Sequence, residues 1–335
     1  MNRLLVTLFS MLIASCAAKT PYVFNLEDGQ STPVWPAAPE RPRIQFITSF
    51  SKPEDLNIGK GFVQLLTEFF TGSEENTLSR PYAIAVHGRR IAVADPDSAR
   101  VHIFNLNDRS YHTIDDTENH LFQSPIGVAL DDNRLFIADS KLNKVFVFDR
   151  QYSLTRVLES FTRPTALALD TEQQTLYVTD TLAHKIYAYE TDGDLIRTIG
   201  KRGEANDQFN YPSHLALAKD RLVINDTMNF RIQSYDREGN HLSSFGEQGD
   251  ASGYLTQSKG VAIDSDGHIY VADALANRIQ IFNQKGDFLL EFGDSGDLPG
   301  QFRMPTGLAI WDDKIYVADS YNQRIQVFQY IKVGK

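Results

Sequence analysis

The sequence is poor in cysteine. Cys16 is the only cysteine among 335 residues, so the chain has no internal disulfide and no thiol companions for a metal site. A covalently bound haem, which needs a CxxCH motif, is excluded as well. The sequence also lacks a GxxxxGK[ST] phosphate loop and a GxSxG nucleophile elbow. These absences remove several large classes of enzyme.

Basic residues are also in the minority. The chain has 33 Lys and Arg against 43 Asp and Glu, and its isoelectric point is near 5.3. Nucleic-acid binding depends on neutralising phosphates with basic side chains. We therefore expect no nucleic-acid partner.

What the chain has in abundance is repetition. Six copies of one pattern run from Pro81 to Phe328, and the clearest read VADALANRIQIF and VADSYNQRIQVF. An Asp ends an apolar stretch in each copy, at intervals of 41 to 47 residues, and a base follows five residues later. The repeated Asp residues are Asp95, Asp139, Asp180, Asp226, Asp273 and Asp319.

Short alternating strands repeated at this interval are typical of propeller blades, each of which needs its neighbours to bury both faces. The sequence therefore predicts an all-β fold, a six-bladed β-propeller over residues 44–330. In the fifth blade we expect strand a at 260–264, strand b at 268–273, strand c at 278–282 and strand d at 287–292. Residues 331–335 would form a short tail.

The repeats resemble the NHL repeat family, whose members are six-bladed propellers. The resemblance rests on the Asp-x4-Arg/Lys-[IV] segments and on the Gly-rich loops at 200–212, 246–258 and 293–305. The last copy ends before a fourth strand can follow. Because residues 44–50 match the pattern of the d strands, we expect them to pair in the last blade, which would close the ring and cover its open edge.

The N-terminal sequence indicates that the protein is exported. Arg3 is followed by a short apolar run and by small residues before Cys16, as in a secretory signal over residues 1–15. The position of Cys16 resembles the bacterial lipobox, and this resemblance implies lipid modification of Cys16. With Ala17 next, it implies a bacterial envelope protein held at the outer membrane, facing the periplasm or the cell surface. The alternative is a free cysteine within the core.

Two further segments flank the first repeat. Residues 16–43 contain five of the thirteen prolines and predict a stiff, lipid-anchored tether. Residues 57–72 carry apolar side chains at helical spacing and predict a short helical insertion. We expect this helix to cap the propeller, with a membrane or partner contact as the alternative.

The repeated Asp residues suit a structural role, since Asp accepts backbone N–H groups in turns. Some propellers related to NHL proteins hold zinc through histidines above the channel. Only His184 and His214 are expected near one face, and a catalytic zinc uses about three protein ligands. We therefore expect no cofactor, while a metal-dependent lyase or hydrolase centred on His214 remains an alternative.

Apolar residues at the loop tips are the best binding candidates. Two positions after the repeated Asp, blades three to six have large apolar side chains, which are costly when exposed unless a partner covers them. The candidates are Leu182, Met228, Leu275 and Tyr321, with Phe230 beside them. They could instead pack on the next blade. The sequence favours a non-catalytic platform for a protein or envelope ligand, with a structural subunit of an envelope assembly as a further alternative.

Overall fold

In the described residues, six antiparallel sheets of four or five strands form the body of the protein. A computed structural model describes residues 21–24, 32–59, 76–117, 120–218 and 221–332. Each sheet has four strands named a to d, and the sixth sheet has one strand more. Every strand a contacts strand a of both neighbouring blades, and the ring closes between blades six and one. The predicted six-bladed propeller is confirmed.

The strands recur in the same order in each blade. The a strands are Ala83–His87, Pro125–Leu130, Pro164–Asp170, Pro212–Ala218, Ser258–Ile263 and Pro305–Trp311. The b strands are Arg90–Asp95, Leu135–Asp139, Thr175–Asp180, Arg221–Asp226, Ile269–Asp273 and Lys314–Asp319. The c strands are Arg100–Asn105, Lys144–Phe148, Lys185–Glu190, Arg231–Asp236, Arg278–Phe282 and Arg324–Tyr330. The d strands are Ser110–Ile114, Leu154–Leu158, Leu195–Ile199, His241–Phe245, Phe288–Phe292 and, in blade six, Ile44–Phe50.

Strand b is buried on both of its faces, because neighbouring blades cover it from either side. Its sequences are therefore almost continuously apolar, as in Leu135–Asp139 and Ile269–Asp273. Strand d lies at the rim of the ring, and most of its side chains are exposed, as in Leu195–Ile199. The core consists of the layers between blades.

The ring closes through the N-terminal strand, as the sequence predicts. Ile44–Phe50 pairs antiparallel with Arg324–Tyr330, with Ile44 opposite Tyr330 and Phe50 opposite Ile325. The Phe50 ring is 1% exposed and lies 5.2 Å from the ring of Phe104 in blade one. One end of the chain thus supplies strand d of the last blade and contacts the first.

The proline-rich segment before this strand also packs on the propeller. Val34–Trp35 forms a fifth strand beside Ile44–Phe50, and the Trp35 ring lies 5.7 Å from that of Phe292. The backbone N–H of Tyr22 donates to the carbonyl of Leu106 at 2.8 Å. The segment assigned to a tether therefore contacts the propeller at two places, because its aromatic side chains gain burial there.

Other elements are short. Three 3-10 turns span Pro53–Leu56, Thr227–Asn229 and Ser320–Asn322. Two small strand pairs join Asp116–Thr117 with His120–Leu121 and Asp294–Ser295 with Gln301–Phe302. Most of the expected helix at 57–72 lies outside the described residues, as do the signal segment, Cys16 and most of the tail. Within the described ranges, no helix is long and apolar enough to cross a membrane.

Replacing Phe50 with Ala tests the ring closure. We expect a loss of about 3 kcal/mol or more in the free energy of unfolding, because the substitution leaves a cavity between the last and first blades. Phe288→Ala is the matched control, since Phe288 lies on strand d of blade five and is 39% exposed. Urea denaturation measures both. An equal loss in the two variants would contradict a special role for the closing strand.

Candidate functional site

The propeller has two distinct faces. The b–c loops and the d–a loops emerge on one of them, which we call the loop face. The a–b and c–d hairpins turn on the other, the hairpin face. All the binding candidates from the sequence lie on the loop face because they follow strand b.

The six repeated Asp residues are buried beneath the loop face, and each is 0% exposed. They accept backbone N–H groups from the residues that lead into strand a, as from Ser79 to Asp95 at 2.6 Å and from Arg303 to Asp319 at 2.8 Å. Equivalent bonds exist in the other four blades. In some blades a b–c turn N–H also donates, as from Leu142. Each carboxylate thus joins the two loops of its blade.

The base that follows each Asp has different partners in different blades. Arg231 Nε donates to Asp226 at 2.8 Å, and Arg324 Nε donates to Asp319 at 2.8 Å. In blade five Arg278 pairs instead with Glu291 of strand d at 3.1 Å, and in blade two Lys144 pairs with Glu159, just after strand d. The repeated spacing therefore does not fix a single ion pair.

In blade one a histidine takes part. Burial by itself raises the pKa of the Asp95 carboxyl. The nearby His102 and the N–H groups of Ser79 and Arg80 lower it by more than burial raises it, so the pKa lies below its ordinary value. Asp95 is therefore ionised near neutral pH and belongs to the fold's internal hydrogen bonding.

Four of the apolar loop-tip candidates are exposed. Leu182 is 43%, Met228 52%, Leu275 59% and Tyr321 59% exposed. Met228 N–H donates to the carbonyl of Asn210 at 3.0 Å, and Tyr321 N–H donates to that of Arg303 at 3.1 Å. The backbone of these two tips is held by neighbouring loops while the side chains point outward.

Phe230 differs from the other candidates. It is only partly exposed and closes the Thr227–Asn229 turn with a φ of 52°. The d–a loops add exposed residues that the sequence reasoning missed, among them Tyr211 at 39% and Leu298 at 62%. The sequence signal that could have found them is a large apolar residue within an otherwise polar, Gly-rich loop.

The two candidate histidines have separate surroundings. His184 Nδ1 accepts the backbone N–H of Tyr211 at 3.2 Å, and its ring lies 4.7 Å from that of Tyr211. His214 stacks on Tyr82 at 5.6 Å. Because Tyr82 begins blade one and His214 begins blade four, this stack spans the central channel.

These residues do not fit a metal centre. Within the described part of the chain, no group of three or more His, Cys, Asp or Glu residues is placed to hold a metal ion. Nδ1 of His184 is already used by a backbone N–H. The environment of His214 holds its pKa at about 3, because burial disfavours the imidazolium and Lys259 repels it.

The hairpin face contains a cavity of about 620 Å³ between blades four, five and six. Asp264, Asp313, Arg221 and Trp311 are among its lining residues. Its carboxylates have internal partners, since Asp264 bonds to His268 at 2.8 Å and Asp313 pairs with Lys332 at 2.9 Å. These two carboxylates of the cavity therefore already have partners within the protein.

Comparison with known families agrees with this geometry. The NHL repeat family matches residues 259–282 and 302–328, which cover strands of blades five and six. The chain is a six-bladed propeller, and its fifth and sixth blades match the NHL repeat. The SMP-30/gluconolactonase/LRE-like region matches residues 127–208 of the chain. No curated protein matches the sequence.

Several solved structures resemble this propeller in fold. A catalytically inactive virginiamycin B lyase from Staphylococcus aureus, solved with quinupristin, has 14% identity and a TM-score of 0.56, with 75% of this chain and 95% of that one covered. A Bacteroides thetaiotaomicron protein of unknown function has 15% identity and a TM-score of 0.59, with 76% and 70% covered. Kuenenia stuttgartiensis hydrazine synthase has 11% identity and a TM-score of 0.54, with 77% and 98% covered. At these identities the likeness shows the fold alone.

The buried His214 predicts a pH dependence. Its pKa of about 3 in the folded chain lies below the unfolded value near 6.5, so the unfolded chain binds the proton more readily. The resulting stability is complete above pH 6.5 and is lost progressively as the pH falls toward 3. Between pH 7 and pH 4.5 the free energy of unfolding should fall in both proteins. We expect the fall to be roughly 2 kcal/mol smaller in His214→Gln than in the natural chain. Urea titrations at both pH values measure this, and parallel losses would contradict it.

Proposed function

We propose that the NHL propeller is a non-catalytic binding platform of the bacterial envelope, anchored by a lipid on Cys16. The observation that carries this proposal is the exposure of one large apolar side chain on the loop tips of each of four consecutive blades. Scattered apolar residues are common on protein surfaces, but here they recur at one position of the repeat and share one face. A protein partner would bury them.

The scaffold suits a platform because the loop tips are held rigidly. The buried carboxylates bond to the loops from below, and Arg231 and Arg324 donate to carbonyls of the long d–a loops, as Arg324 does to Gln301 at 3.0 Å. A rigid surface loses little conformational entropy on association. The apolar tips are therefore presented in a fixed arrangement.

The position of the N-terminal segment indicates which face of the propeller would lie toward the membrane. Tyr22 lies on the hairpin face, where Arg89 donates to its carbonyl at 2.9 Å, and Phe24 lies 6.0 Å from Tyr316. Tyr22 is six positions after Cys16, a distance of at most about 20 Å when extended. With a lipid on Cys16, the hairpin face would lie close to the membrane and the loop face would point away, toward a partner.

We do not propose the lyase alternative. The stacked, neutral His214 and the hydrogen-bonded His184 give no converging set of ligands, and the resemblance to virginiamycin B lyase extends to the fold alone. The structural-subunit alternative uses the same loop face and differs only in how permanent the association is.

A triple substitution tests the platform. Leu182, Met228 and Leu275 are changed together to Ser in the chain from Ala17 onward, which is used as bait for crosslinking to solubilised envelope proteins. We expect capture to be lost while the melting temperature stays unchanged, because these side chains are exposed. Capture that persists would overturn the proposal.

The same three blades provide a matched control. Leu195, Leu242 and Leu289 lie on the outer d strands and are 53%, 48% and 47% exposed. Their change to Ser removes a comparable apolar surface from the rim. We expect this control to keep the partner. Loss of capture in both variants would indicate non-specific hydrophobic binding.

The anchor is tested separately with Cys16→Ser. We expect the variant to leave the membrane fraction and to lose palmitate labelling, since a thioether-linked lipid needs the Cys sulfur. Ala18→Ser, two residues further along, should change neither. A Cys16→Ser chain that stays labelled and membrane-bound would contradict lipid anchoring.

A further inference from the structure

The loop-face mouth of the central channel carries cations that have no carboxylate partner. Arg163 immediately precedes strand a of blade three, and Lys259 lies within strand a of blade five. In the described part of the chain, neither side chain has a hydrogen bond or an ion pair. Arg163 is exposed and Lys259 is half-buried. For a protein of net charge −10, two unpaired cations at one place are a marked local exception.

Arg163 and Lys259 lie on either side of His214, at the start of the neighbouring a strands of blades three, four and five, which contact one another. The pKa of Lys259 is lowered, first by burial and then by repulsion from Arg163. The pKa of Tyr82 is raised by burial, and Arg163 and Arg80 oppose that rise. Tyr82 belongs to blade one, whereas Arg163 belongs to blade three.

The floor of this mouth is the stack of Tyr82 on His214. His214 is 7% exposed, and within the described residues its Nε2 is buried with no hydrogen-bond partner. Its Nδ1 lies 3.1 Å from Ser213 Oγ. A buried ring nitrogen without a partner is unfavourable unless a ligand or water satisfies it. The floor therefore offers an unused polar group beneath the cations.

The backbone that carries the cations is fixed from within. The N–H of Arg163 donates to the buried Asp180 at 2.8 Å. The carbonyl of Lys259 accepts from the buried Asn225 at 2.7 Å. Arg80 is the third cation of the mouth, and it already pairs with Asp97 at 2.5 Å. Two free cations and a third, paired one thus surround a rigid floor.

We propose that the channel mouth formed by Arg163, Lys259 and the Tyr82–His214 floor binds the carboxylate or phosphate group of a small anionic ligand. A positively charged site concentrates anions, and the planar guanidinium matches both oxyanions in a bidentate manner. Binding would relieve the repulsion between Arg163 and Lys259. The site is independent of the apolar loop tips, and its ligand is separate from the platform's protein partner.

Calorimetric titration of the chain from Ala17 onward, with inorganic phosphate and separately with succinate at constant ionic strength, tests the proposal. We expect saturable binding of at least one of the two, and the one that binds identifies the anion. In the double variant Arg163→Gln/Lys259→Gln, binding should weaken by roughly tenfold or more, since charge-assisted hydrogen bonds are lost. Absence of binding by both anions would overturn the proposal.

The control removes the same two charges elsewhere. Arg150 and Lys285 are exposed on c–d hairpins of the hairpin face. The double variant Arg150→Gln/Lys285→Gln should bind the anion as the natural chain does. Equal weakening in both double variants would show a general charge effect and overturn the site.

A spectroscopic readout locates the ligand. In long-range proton–nitrogen spectra of histidine-labelled protein, the ring signals absent from His214→Gln belong to His214. We expect them to shift on anion addition, with the same dissociation constant as in calorimetry. Binding that leaves these signals unmoved would place the anion elsewhere and contradict the proposed floor.

Discussion

The buried carboxylate at the end of strand b is the interaction on which the rest of the molecule depends. Each of the six accepts backbone N–H groups from the loop that enters its own blade, for example from Gln123 to Asp139 at 2.7 Å. A desolvated carboxylate without such partners would be strongly unfavourable, so the loop has one conformation available. This loop conformation fixes the position of strand a, which forms the wall of the channel.

This constraint explains why the loop face can carry recognition. In blades four and six the same carboxylates also receive an Arg side chain, which continues to the carbonyls of the Gly-rich loops. Loops of this length are commonly mobile, but here they are bonded from below. Apolar tips and channel-mouth cations are therefore separate features of a single rigid surface. The hairpin face instead receives the N-terminal segment through Tyr22.

Sequence periodicity predicted the regular elements closely. In blade five the expected strands at 268–273 and 278–282 correspond to Ile269–Asp273 and Arg278–Phe282. Ring closure by residues 44–50 was also predictable, because the last repeat lacks a strand and an unpaired edge is unfavourable. The packing of Tyr22 and Trp35 was not, since a proline-rich composition indicates extension and says nothing of what the aromatic side chains touch. Nor did the constant Asp-to-base spacing predict the ion pairs, because partners on strand d compete for the base.

The sequence by itself determined the number of blades, the strand order and the buried position of the repeated Asp, because repeats of alternating apolar residues can bury their faces in few ways. Only the tertiary structure decided what meets across the channel. Tyr82 and His214 are far apart in the chain, and Arg163 and Lys259 belong to different blades, yet closure of the ring brings all four together. Pairwise contacts of this kind depend on the angle between blades and on the channel radius, which no local pattern encodes. The exposure of Leu182 and Leu275 was likewise fixed by how neighbouring blades pack, and residue type alone allowed either outcome.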